Sequence, residues 1–130
     1  MMSWSMVHIS SLVGLTALLA ACQPEPEAPP PAPPIPKAVC DKALEGLERL
    51  SKTGGFEYDA HGEATIDQAS WLAFSHYDRD RLGQALAFHA ACGAEEPPRE
   101  QTVTIRSEYG TVLTRRIVET SVDFSQILKD

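Results

Sequence analysis

Apolar residues recur at intervals of three and four over positions 38–53, which predicts an amphipathic helix. The opposite side is charged, with Glu45 and Glu48 each four positions before a basic residue. Two glycines at positions 54 and 55 follow the last apolar residue and predict the end of the helix. The predicted buried stripe consists of Cys40, Ala43, Leu44, Leu47 and Leu50.

A second and longer helix is predicted to begin at Ser75, where Asp78 three residues later completes a capping box. Gly93 marks its end. Gly83 lies in the interior, where glycine costs about 1 kcal/mol against alanine, so we expect another backbone to approach closely there. Asp67 is expected to cap a short helix just before. The predicted buried stripe of the long helix consists of Leu82, Ala85, Leu86 and His89.

In two other regions the apolar residues recur at every second position, which predicts strands. Residues 56–66 alternate around a turn at 59–62, and residues 102–119 alternate around Tyr109-Gly110. The expected faces of the second hairpin are Val103 with Ile105, Leu113 with Ile117, and Val112 with Val118. The whole pattern predicts an α+β domain, in which a small antiparallel sheet of two hairpins carries helices on one face.

The N-terminal apolar run, residues 9–21, has 13 residues and ends in Leu19-Ala20-Ala21-Cys22. A bilayer-spanning helix needs roughly 20 residues, so the run is typical of a signal segment. The tetrapeptide resembles the lipobox of bacterial lipoproteins. The resemblance implies that residues 1–21 are a signal peptide and that Cys22 becomes the mature N-terminus, acylated on its sulfur (as with palmitate) and on its amino group.

A proline-rich linker over residues 22–37 follows, since residues 23–36 hold eight of the ten prolines. Such a segment extends as polyproline II and reaches about 45 Å, which suits a stalk for one globular domain, residues 38–130. The alternative is a proline-rich ligand of an SH3-like domain. In Gram-negative bacteria, an Asp directly after the acylated Cys retains a lipoprotein in the inner membrane. This position holds Gln23, so by analogy we expect the outer membrane, with the domain facing the periplasm.

The charge of the sequence excludes nucleic-acid binding from the expected functions. Residues 38–130 hold 10 of the 11 Lys and Arg residues and 16 of the 18 Asp and Glu residues, a formal net charge of −6. Without a basic patch, the domain has no positively charged surface that would attract the phosphates of a nucleic acid. An acidic domain also gains nothing from anionic lipid headgroups, so we expect membrane contact through the acyl chains on Cys22 alone.

Cys40 and Cys92 are the two cysteines that remain after Cys22. In an exported domain of this size, an even pair is most simply a disulfide. A metal site and a catalytic thiol are the alternatives, and His89 is the only histidine near either cysteine in sequence. We expect no metal and no cofactor.

Recognised catalytic motifs are absent from the sequence, so we expect a non-enzymatic domain that binds an envelope protein. Arg106, Arg115 and Arg116 are expected to share an exposed strand face, and arginine is enriched where proteins meet partners. One alternative is a periplasmic ligand-binding or inhibitor module, with an apolar groove or a protruding loop at 93–100. Another is a small metal-dependent hydrolase that uses His61, His76 and His89.

Residues 64–113 resemble a small domain found in uncharacterised bacterial proteins. The resemblance rests on a strand ending in Ile66-Asp67, on Trp71, on a helix with Leu82 and Leu86, and on a hairpin turning at Tyr109-Gly110. It covers about half of the mature chain and implies no known activity, so no functional residue is carried over from it.

Overall fold

The computed structural model describes residues 26, 28 and 33–121, so the lipobox and the last nine residues lie outside the described part. Three helices and four strands follow one another in the described chain. In chain order they are α1 (Lys37–Ser51), β1 (Phe56–Tyr58), β2 (Glu63–Ile66), α2 (Gln68–Ala73), α3 (His76–Cys92), β3 (Glu100–Ser107) and β4 (Val112–Glu119). Among these residues, no helix has the length and apolar character needed to cross a bilayer.

The helix starts follow local sequence chemistry. The side chain of Asp67 accepts a hydrogen bond from the Ser70 backbone N–H and caps α2. This bond and a second one from the Ser70 hydroxyl hold the pKa of Asp67 below its usual value. Ser75 and Asp78 form the expected capping box at the start of α3. Both cap predictions are therefore confirmed.

The sheet confirms the α+β class and both hairpins. Its strand order is β1-β2-β3-β4, and the pairs β1–β2 and β3–β4 are antiparallel. One detail differs from the expected antiparallel sheet, because β2 and β3 pair in parallel and the sheet is therefore mixed. The segment between these strands contains α2 and α3, which form the helical crossover that a parallel pair requires.

The core lies between the helices and one face of the sheet. Strand residues Ile66, Val103 and Ile105 are at most 1% exposed and pack with Leu47 of α1 and Leu86 of α3. A smaller cluster of Val39, Ala43 and Phe88 joins α1 to α3. The expected packing of helices on one face is thereby confirmed, and the other face of the sheet has no helix of residues 33–121 on it.

A β-bulge changes the predicted faces of β4. Ile105 pairs with Thr114 but Arg106 pairs with Val112, so Leu113 is the extra residue. Leu113 packs against the core as Val118 does, whereas Val112 and Ile117 are exposed. The predicted grouping of Leu113 with Ile117 is therefore wrong, because the inserted residue reverses the alternation between the two ends of the strand.

Candidate functional site

The structure joins Cys40 and Cys92 in a disulfide, with an S–S distance of 2.10 Å and a Cα–Cα distance of 6.0 Å. Cys40 lies near the start of α1, and Cys92 is the last residue of α3. The predicted pairing is confirmed, and it joins the start of α1 to the end of α3. Disulfides are common in exported domains of this size and rare in cytosolic proteins.

The three arginines expected to share one surface lie on two faces of the sheet. Directly paired residues of adjacent strands project to the same face. Arg106 pairs with Val112, and Arg115 pairs with Thr104, so both arginines lie on the face that carries no helix. Arg116 instead pairs with the buried Val103 and lies on the helix-covered face. The expectation of one shared face is wrong for Arg116, since neighbours in a strand alternate.

We call the helix-free side of the sheet the open face; it carries Glu57, Glu63, Thr65, Thr102, Thr104, Arg106, Val112, Arg115, Ile117 and Glu119. Arg106 pairs with Glu63 at 3.2 Å, and Nε of Arg115 donates to the hydroxyl of Thr104 at 3.4 Å. Ile117 is 67% exposed and Val112 is 47% exposed. The open face thus combines apolar side chains with arginines and threonines.

Arg116 reaches under α3 on the opposite face. Its Nη1 donates to the carboxylate of Asp80, and its Nη2 donates to the backbone carbonyl of Asp80 at 2.9 Å. A Cβ at Gly83 would lie 2.6 Å from Nη2 of Arg116, so glycine leaves the room that the guanidinium occupies. The expected close approach at Gly83 is therefore made by a side chain and not by a backbone.

Gly83→Ala tests this fit. In an Arg116→Ala background the change should stabilise the protein by about 1 kcal/mol, because it removes a glycine from a helix interior. In the wild type the gain should be smaller, since the new methyl group displaces the Arg116 guanidinium. Urea denaturation of the four proteins measures the difference.

Gly46→Ala is the matched control, because Gly46 is inside α1 and its Cβ would meet no atom within 4 Å. This change should give the same gain in both backgrounds. If Gly83→Ala also gives the same gain in stability with and without Arg116, the assigned fit between Gly83 and Arg116 is wrong.

A cleft of about 220 Å³ opens between the α2–α3 corner and strands β3 and β4. Trp71, Arg79, Asp80, Leu113 and Arg116 are among the residues around it, and the fully buried Val103 and Ile105 lie beneath it. The guanidinium of Arg79 lies 4.7 Å from the centre of the Trp71 ring and donates twice to the Trp71 carbonyl, at 2.8 and 3.2 Å. We call this feature the α3 cleft.

The α3 cleft was not predicted from the sequence, which had suggested residues 93–100 for a groove or loop. One signal pointed towards it without locating it, since Gly83 indicated a close contact inside a helix. The contact is made by Arg116, which is 33 positions beyond Gly83 and also pairs with Asp80, and local patterns do not reveal such a contact.

The three histidines of the hydrolase alternative lie apart. His76 begins α3 and is next to Asp80, with Nε2 3.5 Å from Oδ2. His89 is near the other end of α3 and meets the Tyr58 ring edge-on at 5.4 Å. Thirteen helical residues separate these two by about 20 Å. His61 is exposed in the β1–β2 turn, and residues 33–121 hold no group of His, Cys, Asp and Glu suited to a metal.

Comparison with known proteins adds no relative. No protein-family model matches the chain, and searches of the curated proteins and of the solved structures found no match. The functional interpretation therefore depends on the residues and their geometry alone.

Proposed function

We propose that this chain is a lipid-anchored lipoprotein of the bacterial cell envelope that presents a small, non-enzymatic protein-interaction domain on a proline-rich stalk. The observation that carries the proposal is the order of three features along the chain. A lipobox-like Leu19-Ala20-Ala21-Cys22 is followed directly by a proline tract, and α1 begins at Lys37, immediately after the last proline of that tract.

The oxidised state of the domain supports this proposal. Secreted and periplasmic domains use disulfides to supplement small cores, whereas cytosolic proteins keep their thiols reduced. The Cys40–Cys92 bond lies where the proposed stalk joins the domain, so a tether at Cys22 would attach to a cross-linked end of the fold. The outer membrane, with the domain facing the periplasm, is the proposed location.

The open face is the proposed partner surface. In a small mixed sheet, a face without helices leaves apolar strand residues in water, and Ile117 is the clearest case at 67% exposure. Protein interfaces commonly combine apolar contacts with arginine. On this face Arg106 is opposite Val112, and Arg115 lies between Val112 and Ile117 along β4. Glu63 and Glu119 add acidic groups at its border.

A ligand-binding module in the periplasm is the second candidate, and the α3 cleft is the observation that favours it. The hydrolase candidate has no such support, because His76 and His89 are at opposite ends of α3. Both remaining candidates fit the same anchored architecture, and they differ in which side of the sheet meets the binding partner.

Cys22→Ser should release the protein from the membrane. If Cys22 carries the acyl chains, the wild-type protein should partition into the detergent phase and incorporate a palmitate analogue, and the variant should do neither. Cys40→Ser is a control for the general loss of a cysteine and should keep the label. Label retained by Cys22→Ser, or a soluble and uncleaved wild-type product, would refute the lipid anchor.

Arg106→Glu combined with Arg115→Glu should weaken capture of the envelope partner without unfolding the domain. Both side chains are on the open face. The change sets a carboxylate beside Glu63 and removes the hydrogen bond to Thr104, so we expect a loss of about 1–3 kcal/mol, which leaves the domain folded. The measurement is a pull-down from crosslinked envelopes, with a circular-dichroism melt of the same variant. Capture equal to that of the wild type would exclude the open face as the partner surface.

Arg49→Glu combined with Lys52→Glu is the matched control, since it changes the net charge by the same amount and both residues are exposed at the end of α1. It should leave capture unchanged and the domain folded. If this control weakens capture as strongly as the open-face variant does, the effect is due to net charge and not to the open face.

A further inference from the structure

We propose that β4 pairs with β4 of a second copy of this chain, antiparallel and centred on Ile117, so that the two four-stranded sheets become continuous. This contact goes beyond the proposed function, because the partner is a second copy and the surface is the edge of the sheet. It can be tested with the purified chain alone, so its outcome is independent of the envelope partner and of the anchor at Cys22.

The strand β4 is the long edge of the sheet that residues 33–121 form. It has eight residues, whereas β1 at the opposite edge has three. An edge strand presents N–H and C=O groups with which another chain can pair. The bulge at Leu113 interrupts β4 near its start, so the regular stretch that another strand can join consists of residues 114–120.

The hydrogen bonds to β3 determine which backbone groups of β4 face outward. The N–H of Thr120 donates to the carbonyl of Arg99 at 2.8 Å. Opposite residues in an antiparallel pair alternate between hydrogen-bonded and non-hydrogen-bonded, so the even-numbered residues of this stretch bond towards β3. The N–H and C=O groups of Arg115, Ile117 and Glu119 therefore point away from β3, towards the position of a further strand.

Charge selects one register for two copies of this stretch. With Ile117 opposite Ile117 of the second copy, Arg115 is opposite Glu119 of that copy on both sides of the two-fold axis. These pairs join outward-facing residues, as an antiparallel ladder requires. Registers centred on Arg116 or Arg115 place two arginines directly opposite each other, which is destabilising. A register centred on Val118 places Ile117 opposite Glu119 and separates the opposite charges.

The side chains of this register meet on the open face. Ile117 is 67% exposed in one copy, and pairing places it beside its own counterpart, so apolar surface is removed from water. Glu119 is directly opposite Glu100 within the sheet, and like charges in that position repel. An arginine of the second copy on the other side of Glu119 offsets this repulsion.

A second copy fits this edge better than the end of the same chain does. Residues 122–130 follow β4 closely, and they could reach the edge only by reversing direction in a tight turn after Thr120. Two-residue hairpin loops favour Asn, Asp or Gly, because they need positive φ angles. The two residues after Thr120 are Ser121 and Val122, which are none of these.

Ile117→Cys should give a disulfide between two copies. In the proposed pair the two Cα atoms of position 117 are about 5.5 Å apart, and a disulfide spans about 4.4–6.8 Å. The full chain is purified in mild detergent, oxidised with copper phenanthroline and examined by non-reducing gel electrophoresis. A reducible dimer band well above that of the wild type is expected, and its absence at high micromolar protein would overturn the pairing.

Val112→Cys is the matched control, because Val112 is also exposed on the open face of β4. The antiparallel register separates the two copies of this position by about 30 Å. It should therefore give no dimer band beyond that of the wild type. Equal cross-linking at positions 112 and 117 would assign the band to random collisions and overturn the pairing.

Exchanging the charges tests the register. In the Ile117→Cys chain, Arg115→Glu should weaken dimerisation about tenfold, because two cross-strand pairs change from attractive to repulsive. Glu119→Arg should do the same. Arg115→Glu combined with Glu119→Arg should restore cross-linking, since both pairs form again with the charges exchanged. If the combined variant is folded in a circular-dichroism melt and does not recover, the register is wrong.

Arg106→Glu in the same chain is the control for charge, since Arg106 is on the open face but belongs to β3 and not to the edge strand. It should leave cross-linking unchanged. A loss as large as that of Arg115→Glu would show that net charge, and not pairing at the edge, controls the yield.

A chain shortened by residues 122–130 separates a second copy from the chain's own end. With Ile117→Cys, this chain should cross-link as the full chain does. Clearly greater cross-linking would mean that the last residues of the same chain occupy the edge. Complete loss in a folded protein would mean that these residues, and not β4, make the contact between copies, and either result would overturn the proposal.

Discussion

Cys40→Ala should lower the free energy of unfolding by about 4 kcal/mol, and Cys92→Ala should have nearly the same effect. The bond spans 52 residues, and closing a loop of this length removes that much chain entropy from the unfolded state. Domains of this size are stable by about 5–15 kcal/mol in total, so either variant should keep only marginal stability. The melting temperature should fall by about 15–30 °C.

The decisive comparison is the double variant. Because both cysteines act through one bond, Cys40→Ala with Cys92→Ala should be little less stable than either single variant. Thiol labelling of the exported wild-type protein without reductant should detect neither cysteine. Additive losses, or labelling of the folded wild type at both positions, would show that the two residues do not stabilise the domain as a pair.

Most of the local structure was predicted because its causes are local. The capping box of Ser75 and Asp78, the N-cap at Asp67 and the paired glycines after α1 all act within a few residues. Gly54 and Gly55 have positive φ angles of 82° and 71°, a conformation that other residues rarely adopt. Such positions can be identified from the sequence before any tertiary contact is known.

The order of contacts across the sheet could not be predicted in the same way. Whether β2 and β3 run parallel depends on where the crossover of α2 and α3 returns the chain, and no residue of either strand specifies it. The bulge at Leu113 arises from pairing with β3 and not from the residues of β4 alone. This one inserted residue is enough to expose Ile117 and Val112 together on the open face.

The contacts of Arg116 could not be predicted from the sequence for the same reason. As one of two adjacent arginines in an alternating strand, it looked like part of an exposed basic face. The structure places it against Asp80 and Gly83 of α3, which are 36 and 33 positions earlier in the chain. Its charge is thereby compensated by Asp80.

Leu86→Ala measures how firmly α3 packs on the sheet. Leu86 is fully buried against the main core, so its truncation should cost about 2–5 kcal/mol through lost burial and the cavity left behind. Leu72→Ala is the matched control, since Leu72 is also helical but 68% exposed, and it should change stability by about 0.5 kcal/mol or less. Urea denaturation measures the loss of stability in each variant. Both changes replace Leu by Ala in a helix, so they change helix propensity equally. Similar losses for the two leucines would mean that α3 does not cover the core as the structure has it.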